Sequence, residues 1–154
     1  MSGANGTVGR IVVGMDGSEG SAAALRWAAR LALPENAEVV VVHVLEPESH
    51  AGPLGLPRAV LYDADWREAV RDELEGAWCA PLREAGVRHR TRAEWGYAGP
   101  CLTEVAAEEH ADLLVTGRRG LGGLAELLRD SVSAYATHHS PCPVAVVSAR
   151  PRAA

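Results

Sequence analysis

Short apolar runs alternate with amphipathic stretches from the beginning of the chain. Residues 10–15 are rich in β-branched side chains. Residues 37–47 contain four consecutive valines, a pattern typical of a strand buried on both faces of a parallel sheet. Between these runs, apolar residues recur at helical spacing after Ser18, which predicts a helix with Ser18 as its N-cap. The chain therefore opens as strand, helix and strand.

The same alternation continues through the middle of the chain. Residues 48–62 contain several glycines and prolines and predict a loop. A second helix is predicted around residues 66–78, kinked or shortened by Pro81 and ended by Gly86. Residues 87–96 alternate polar and apolar positions, which predicts a half-exposed third strand at an edge of the sheet.

The last third of the chain completes the pattern. A third helix is predicted to begin near Pro100, because proline is favourable in the first turn of a helix. Residues 112–117 predict a fourth strand, residues 131–139 a further helix, and residues 142–148 a fifth strand. Strands that alternate with helices through short connections predict an α/β fold. We expect a doubly wound, Rossmann-like parallel sheet of five strands in the order 3-2-1-4-5, with helices on both faces.

The length and composition predict one folded domain. A chain of 154 residues suits a single domain with a substantial core. We predict a flexible arm at residues 1–9, a single domain at residues 10–149 and a tail at residues 150–154. The net charge of −5 provides no global positive field for nucleic acid. No apolar run reaches the roughly 18 residues of a membrane span, so neither a membrane nor a nucleic acid is a predicted partner.

The cysteines and histidines do not predict a metal site or a disulfide. Cys79, Cys101 and Cys142 are odd in number and lack CxxC spacing, which favours reduced thiols in a cytoplasmic protein. His138, His139 and Cys142 lack the usual spacing of zinc ligands. No Ser/His/Asp set or carboxylate pair is linked by spacing, so we predict no catalytic residue and no bound metal.

A glycine-rich segment follows the fourth predicted strand at residues 117–123. Glycines at this density allow a backbone to approach a phosphate closely. Residues 120–125 fit G-x-G-x-x-A, but a dinucleotide fingerprint opens the first βα unit and is followed by an acidic residue about 20 positions later. No acidic residue follows Asp130, and the chain has no lysine for a P-loop. The loops after strands 1 and 4 meet in a doubly wound sheet, so this segment is predicted to form half of a ligand site.

The spacing of the glycines resembles a known family. Two residues separate Gly117 from Gly120, and nine residues separate Gly120 from Asp130 and Ser131. Together with RIVVGMDGSEGSAAALRWAARLA, VVVVHVLEP and HHSPCPVAVV, this resembles the universal stress proteins. Nucleotide-binding members of that family carry G-x2-G-x9-G-[ST] after the fourth strand. The resemblance covers nearly the whole chain.

The resemblance implies a stress-response or regulatory protein that binds ATP or another adenine nucleotide, with or without Mg²⁺, between strands 1 and 4. Asp16 would face the ribose and adenine, and the backbone near Val44 would face the adenine. The glycines and hydroxyl residues would surround the phosphates, with arginines adding charge. The predicted binding residues are Met15, Asp16, Val44, Gly117, Arg118, Arg119, Gly120, Asp130, Ser131, Val132 and Ser133.

Asp130 departs from the family pattern, which has glycine at this position. Its carboxylate either caps the last helix and occupies amides that a phosphate needs, or points outward and leaves the site open. Its charge also repels a phosphate, by about 1 kcal/mol at 4 Å in water. Three functions stay open: a nucleotide-binding regulator, a structural or interaction dimer without nucleotide, and a slow ATPase.

The last strand predicts a homodimer. The sequence VAVVS is short and apolar, lies at a predicted sheet edge and contains neither lysine nor proline. The resemblance implies the same dimer edge. A regulatory protein partner is expected.

Overall fold

The computed structural model describes residues 6–46, 64–118 and 132–149. The strands are β1 (Arg10–Gly14), β2 (Glu38–Leu45), β3 (His89–Trp95), β4 (Leu113–Gly117) and β5 (Val144–Val147). The helices are α1 (Glu19–Glu35), α2 (Ala64–Glu73), α3 (Ala80–Ala85), α4 (Ala98–Glu108) and α5 (Val132–His139). One π-helical turn (Leu74–Trp78) joins α2 to α3.

The described strands form one parallel sheet in the order β3-β2-β1-β4-β5, as predicted. The fold class is therefore confirmed. Residues 1–5 and 150–154 lie outside the described residues, so the proposed arm and tail remain predictions. None of the described helices is long and apolar enough to cross a membrane.

The central strands β1, β2 and β4 are buried on both faces, and the helices pack on both sides of the sheet. On one face, Ile11, Val13 and Val41 belong to a core that includes residues of α1 and α3. On the other face, Val12 and Val40 belong to a core with residues of α4 and α5. Because successive side chains of a strand point to opposite faces, the run of valines in β2 supplies both cores at once.

The ends of the helices follow local signals. Ser18 accepts a hydrogen bond from the amide of Ser21 at 3.2 Å and caps α1, as predicted. The second predicted helix is divided by the π-helical turn, and Pro81 lies in the first turn of α3. Proline has no N–H to donate, so it fits a position where no intrahelical bond is expected. Gly86 adopts a φ of 72° and ends α3.

The edge strand β3 is held by an ion-pair cluster that the alternating pattern did not predict. The buried carboxylate of Glu109, just after α4, accepts hydrogen bonds from Arg90 and from Arg92. The backbone carbonyl of Glu109 accepts one from Arg10 of β1 at 2.7 Å. The hydrogen bond from Arg90, assisted by Arg92 and opposed by burial, lowers the pKa of Glu109 from 4.5 to about 2. This cluster joins the β1 and β3 strands to the end of α4.

The three cysteines are free thiols. Cys79 is buried, and that burial raises its pKa to about 11. It is therefore a protonated, apolar core residue at neutral pH.

Candidate functional site

A cavity of about 290 Å³ lies at the carboxyl ends of β1, β2 and β4. Ligands of doubly wound sheets bind at this edge. Apolar side chains provide part of its wall, namely Val42, Val44, Leu102 and Val132. Polar residues provide the rest, namely Asp16, Ser18, Ser21, His43, Glu46, Thr116 and Ser133. An apolar concave surface with a few polar groups is typical of a small-molecule site.

Asp16 lies in a tight turn after β1. Its Oδ1 accepts a hydrogen bond from the amide of Ser18 at 2.9 Å, and its own amide donates to Ser21 Oγ at 3.3 Å. Gly17 has a φ of 81°, and a Cβ added there would lie 2.8 Å from the ring of Trp78. The turn therefore requires glycine at position 17 both for its backbone angle and for close packing. Asp16 is exposed at the rim of the cavity, and Ser18 is the residue that caps α1.

His43 supports the same turn from β2. Its Nδ1 lies 2.7 Å from the carbonyl oxygen of Met15, and a carbonyl only accepts hydrogen bonds, so Nδ1 is the donor. The imidazole also makes an edge contact with Trp78, with ring centroids 5.1 Å apart. His43 is thus a hydrogen-bonded histidine near the carboxyl end of β2.

The loops after β1 and β4 touch through their backbones. A Cβ added to Gly117 would overlap the carbonyl group of Gly20 and would lie 2.5 Å from the amide nitrogen of Ser21. A Cβ added to Gly20 would lie 2.6 Å from the carbonyl oxygen of Arg118. The predicted meeting of these loops is confirmed. Gly117 also has a packing role, independent of any phosphate, that its motif did not reveal.

The backbone of Val44 is directed toward the cavity side of β2. The last paired residues of β1 and β2 are Gly14 and Val42, and Val42 accepts a hydrogen bond from the amide of Met15 at 2.8 Å. Backbone groups of alternate residues point to the same side of a strand, so the N–H and C=O of Val44 point the same way as those of Val42. They face the space beyond Gly14, the last residue of β1 that pairs with β2. This arrangement offers one donor and one acceptor side by side.

The cavity brings part of the predicted site together. The predicted residues that line it are Met15, Asp16, Val44, Gly117, Val132 and Ser133. Arg118 follows Gly117 and donates its amide to the carbonyl of Val147 at 2.7 Å, but it is exposed and is not among the lining residues. Arg119, Gly120, Asp130 and Ser131 lie outside the described residues.

Other lining residues were not predicted as site residues. Glu46 follows β2, and its Oε1 accepts a hydrogen bond from the amide of Ala98 at 2.9 Å, in the first turn of α4. Thr116 precedes Gly117 and is only 3% exposed. Glu46 was detectable from its position at the carboxyl end of a predicted strand. The role of Thr116 depends on what surrounds its hydroxyl, which the sequence does not report.

The groups that could hold a ligand include backbone N–H and C=O groups, hydroxyls and two carboxylates. Both carboxylates already accept amide hydrogen bonds. Within residues 6–46, 64–118 and 132–149, no group of three or more His, Cys, Asp or Glu side chains is placed to hold a metal ion.

A family model, that of the universal stress protein family, matches residues 7–148.

The chain belongs to the universal stress protein family.

Individual relatives agree with this assignment. Universal stress protein YxiE of Bacillus subtilis is 32% identical over 145 residues, which cover 90% of this chain and 97% of that protein. A universal stress protein of Mycolicibacterium smegmatis is 32% identical over 146 residues, which cover 94% of this chain and 49% of that protein. This chain therefore spans about half the length of the mycobacterial relative.

A solved structure of the family has a bound ligand. The crystal structure of a universal stress protein in complex with cAMP is 30% identical to this chain and superposes with a TM-score of 0.66. The match covers 94% of this chain and 99% of that one. Similarity to this universal stress protein thus extends over the elements that form the cavity.

Proposed function

We propose that the protein is a cytoplasmic stress-response regulator that binds an adenine nucleotide in the crevice between β1 and β4. The observation that carries this proposal is the backbone of Val44, which presents a donor and an acceptor beside the apolar wall of the cavity. An adenine ring has an apolar face, and its edge carries both donors and acceptors, so it matches such a surface. The cAMP complex of a universal stress protein 30% identical to this chain supports an adenine-containing ligand.

The charges of the described residues favour one orientation of the proposed nucleotide. Glu46 follows β2, at the end of the cavity where we place the base, and Asp16 follows β1, which lies between β2 and β4. The opposite end is formed by Gly117 and the first turn of α5, where the helix dipole favours anions. We therefore place the base at β2, the sugar near Asp16 and the phosphates at the β4–α5 end.

Calorimetric titration of the protein with cAMP, AMP, ADP and ATP, with and without Mg²⁺, tests the proposal. Asp16→Asn keeps an oxygen for the amide of Ser18 but removes the charge that would accept from the sugar. We expect about tenfold weaker binding, because a hydrogen bond to a charged group contributes about 1.5–3 kcal/mol. Asp72→Asn, at an exposed position of α2, is the matched control and should bind like the wild type.

The other outcomes distinguish the alternatives. If none of the four nucleotides binds, the proposal is wrong and the structural or interaction dimer is favoured. If inorganic phosphate is released from ATP and the release requires the cavity residues, the slow ATPase is favoured.

Asp130→Gly is expected to raise the affinity for ATP about tenfold, equivalent to roughly 1.4 kcal/mol. The substitution restores the G-x2-G-x9-G-S spacing and removes a negative charge from the region expected to hold the phosphates. The carboxylate of Asp130 in the wild type should consequently weaken the binding of ATP the most, that of ADP less and that of AMP little. Parallel titrations of wild type and variant measure this. Equal ATP affinities would show that Asp130 has no influence on binding.

We further propose a homodimer through β5. This strand lies at the edge of the described sheet, and its Val146 is 43% exposed. An exposed apolar edge strand favours pairing with another strand, which a second copy of the chain could supply. Sedimentation at micromolar concentration should show a dimer, and Val146→Lys should shift it toward monomer. A monomeric wild type at that concentration would contradict the proposal.

A further inference from the structure

Thr116 lines the cavity, and its buried hydroxyl has no hydrogen-bond partner among the described residues. Thr116 is 3% exposed, and among the described side chains its Oγ1 is a buried polar atom for which no hydrogen bond is formed. Buried polar groups of native proteins nearly always have partners, because an unsatisfied group loses its hydrogen bonds to water. The hydroxyl of Thr116 therefore requires an explanation beyond packing.

Stability of the sheet does not explain a threonine at this position. Its neighbours Leu114 and Val115 are fully buried apolar residues. Valine has nearly the same shape as threonine, shares its β-branching and suits a strand equally well. Valine at position 116 would fill the same space without a buried hydroxyl. The hydroxyl therefore adds nothing to folding that valine would lack.

The position of Thr116 in the sheet points to one end of the cavity. By alternation along β4 it shares a face with Leu114, in the core that also contains Val42 and Leu102. It lies at the carboxyl end of β4, directly before Gly117, and β1 separates β4 from β2. Two strand spacings of roughly 4.8 Å each therefore separate β4 from β2. A nucleotide with its base at β2 would extend its phosphate-bearing end toward Thr116.

We propose that Thr116 is a specificity-determining residue whose hydroxyl donates a hydrogen bond to the first phosphate of the bound nucleotide. The inference rests on the proposed nucleotide function and adds the group that Thr116 recognises. A phosphate oxygen only accepts hydrogen bonds, so Oγ1 is the donor. The ligand then supplies the partner that the described residues do not. A ligand without phosphate, such as adenosine, lacks that partner.

Thr116→Val and Thr116→Ser separate the hydroxyl from the shape of the side chain. Calorimetric titration with AMP, cAMP and adenosine should show that Thr116→Val binds AMP and cAMP about tenfold more weakly and adenosine with unchanged affinity. Thr116→Ser keeps the donor and should bind AMP within about twofold of the wild type. In the absence of ligand, the melting temperature of Thr116→Val should rise by about 2–4 °C, because an unsatisfied hydroxyl is removed.

Several results would overturn the inference. Unchanged AMP affinity in Thr116→Val, with a wild type that binds AMP, rejects it and leaves the proposed function intact. An equal loss for adenosine shows that the hydroxyl does not recognise the phosphate. A lower melting temperature of ligand-free Thr116→Val shows that the hydroxyl stabilises the fold by itself. A wild type that binds no adenine nucleotide rejects both the proposed function and this inference.

Discussion

Gly117→Ala is expected to destabilise the protein by about 3 kcal/mol and to abolish the proposed nucleotide binding in the cavity. The new Cβ would overlap the carbonyl group of Gly20, which is backbone and cannot rotate away. It would also lie 2.5 Å from the amide nitrogen of Ser21, whose hydrogen bond to Ser18 caps α1. The two loops must separate, and the turn that holds Asp16 moves with them. Chemical denaturation measures the loss of stability, and calorimetry measures the loss of binding.

Gly76→Ala is the matched control for this substitution. A Cβ added to Gly76 meets no atom within 4 Å, and Gly76 lies within the π-helical turn. Alanine there should be neutral or stabilising by about 0.5–1 kcal/mol, because glycine has a poorer helix propensity than alanine. If Gly117→Ala were as stable as Gly76→Ala, the backbone contact between the two loops would not constrain the fold.

Glu109→Gln is expected to remove a pH-dependent stabilisation of about 3 kcal/mol. The side chain of Glu109 is 10% exposed, and its pKa is lowered from 4.5 to about 2 by Arg90 and Arg92. Each pKa unit corresponds to about 1.4 kcal/mol. Because the folded pKa lies below the unfolded one, this stabilisation is present above about pH 4.5 and is lost as the pH falls toward 2. Urea denaturation of wild type and variant between pH 7 and pH 2 measures it.

The difference in stability between wild type and Glu109→Gln should therefore be largest at neutral pH and should narrow toward pH 2. Glu108→Gln is the control, because Glu108 has a side chain 62% exposed and pairs with Arg92 at the surface. Exposed pairs contribute little, so its stability should stay within about 1 kcal/mol of the wild type. If the difference in stability between wild type and Glu109→Gln did not vary with pH, the stabilisation could not be attributed to the ion-pair cluster.

Sequence periodicity was sufficient to predict the fold and the edge of the sheet at which the cavity lies. The run of valines in β2 indicated a central strand because both faces of such a strand are buried, and the alternating residues of β3 indicated an edge. The family resemblance implied that Met15, Asp16 and Val44 belong to the ligand site, and all three line the cavity at the carboxyl ends of the strands. Their binding roles remain predictions. Helix capping by Ser18 was also readable, since it depends only on neighbouring residues.

The sequence by itself determined the order of elements, the family and the edge of the sheet where a ligand would bind, because local periodicity and short motifs encode them. Only the tertiary structure decided that Gly117 packs against the backbone of Gly20, that Glu109 joins Arg90 and Arg92, and that the hydroxyl of Thr116 has no partner among the described residues. Each of these depends on distances between residues far apart in the chain. A local pattern contains no information on such distances, since they arise when the strands and helices pack together.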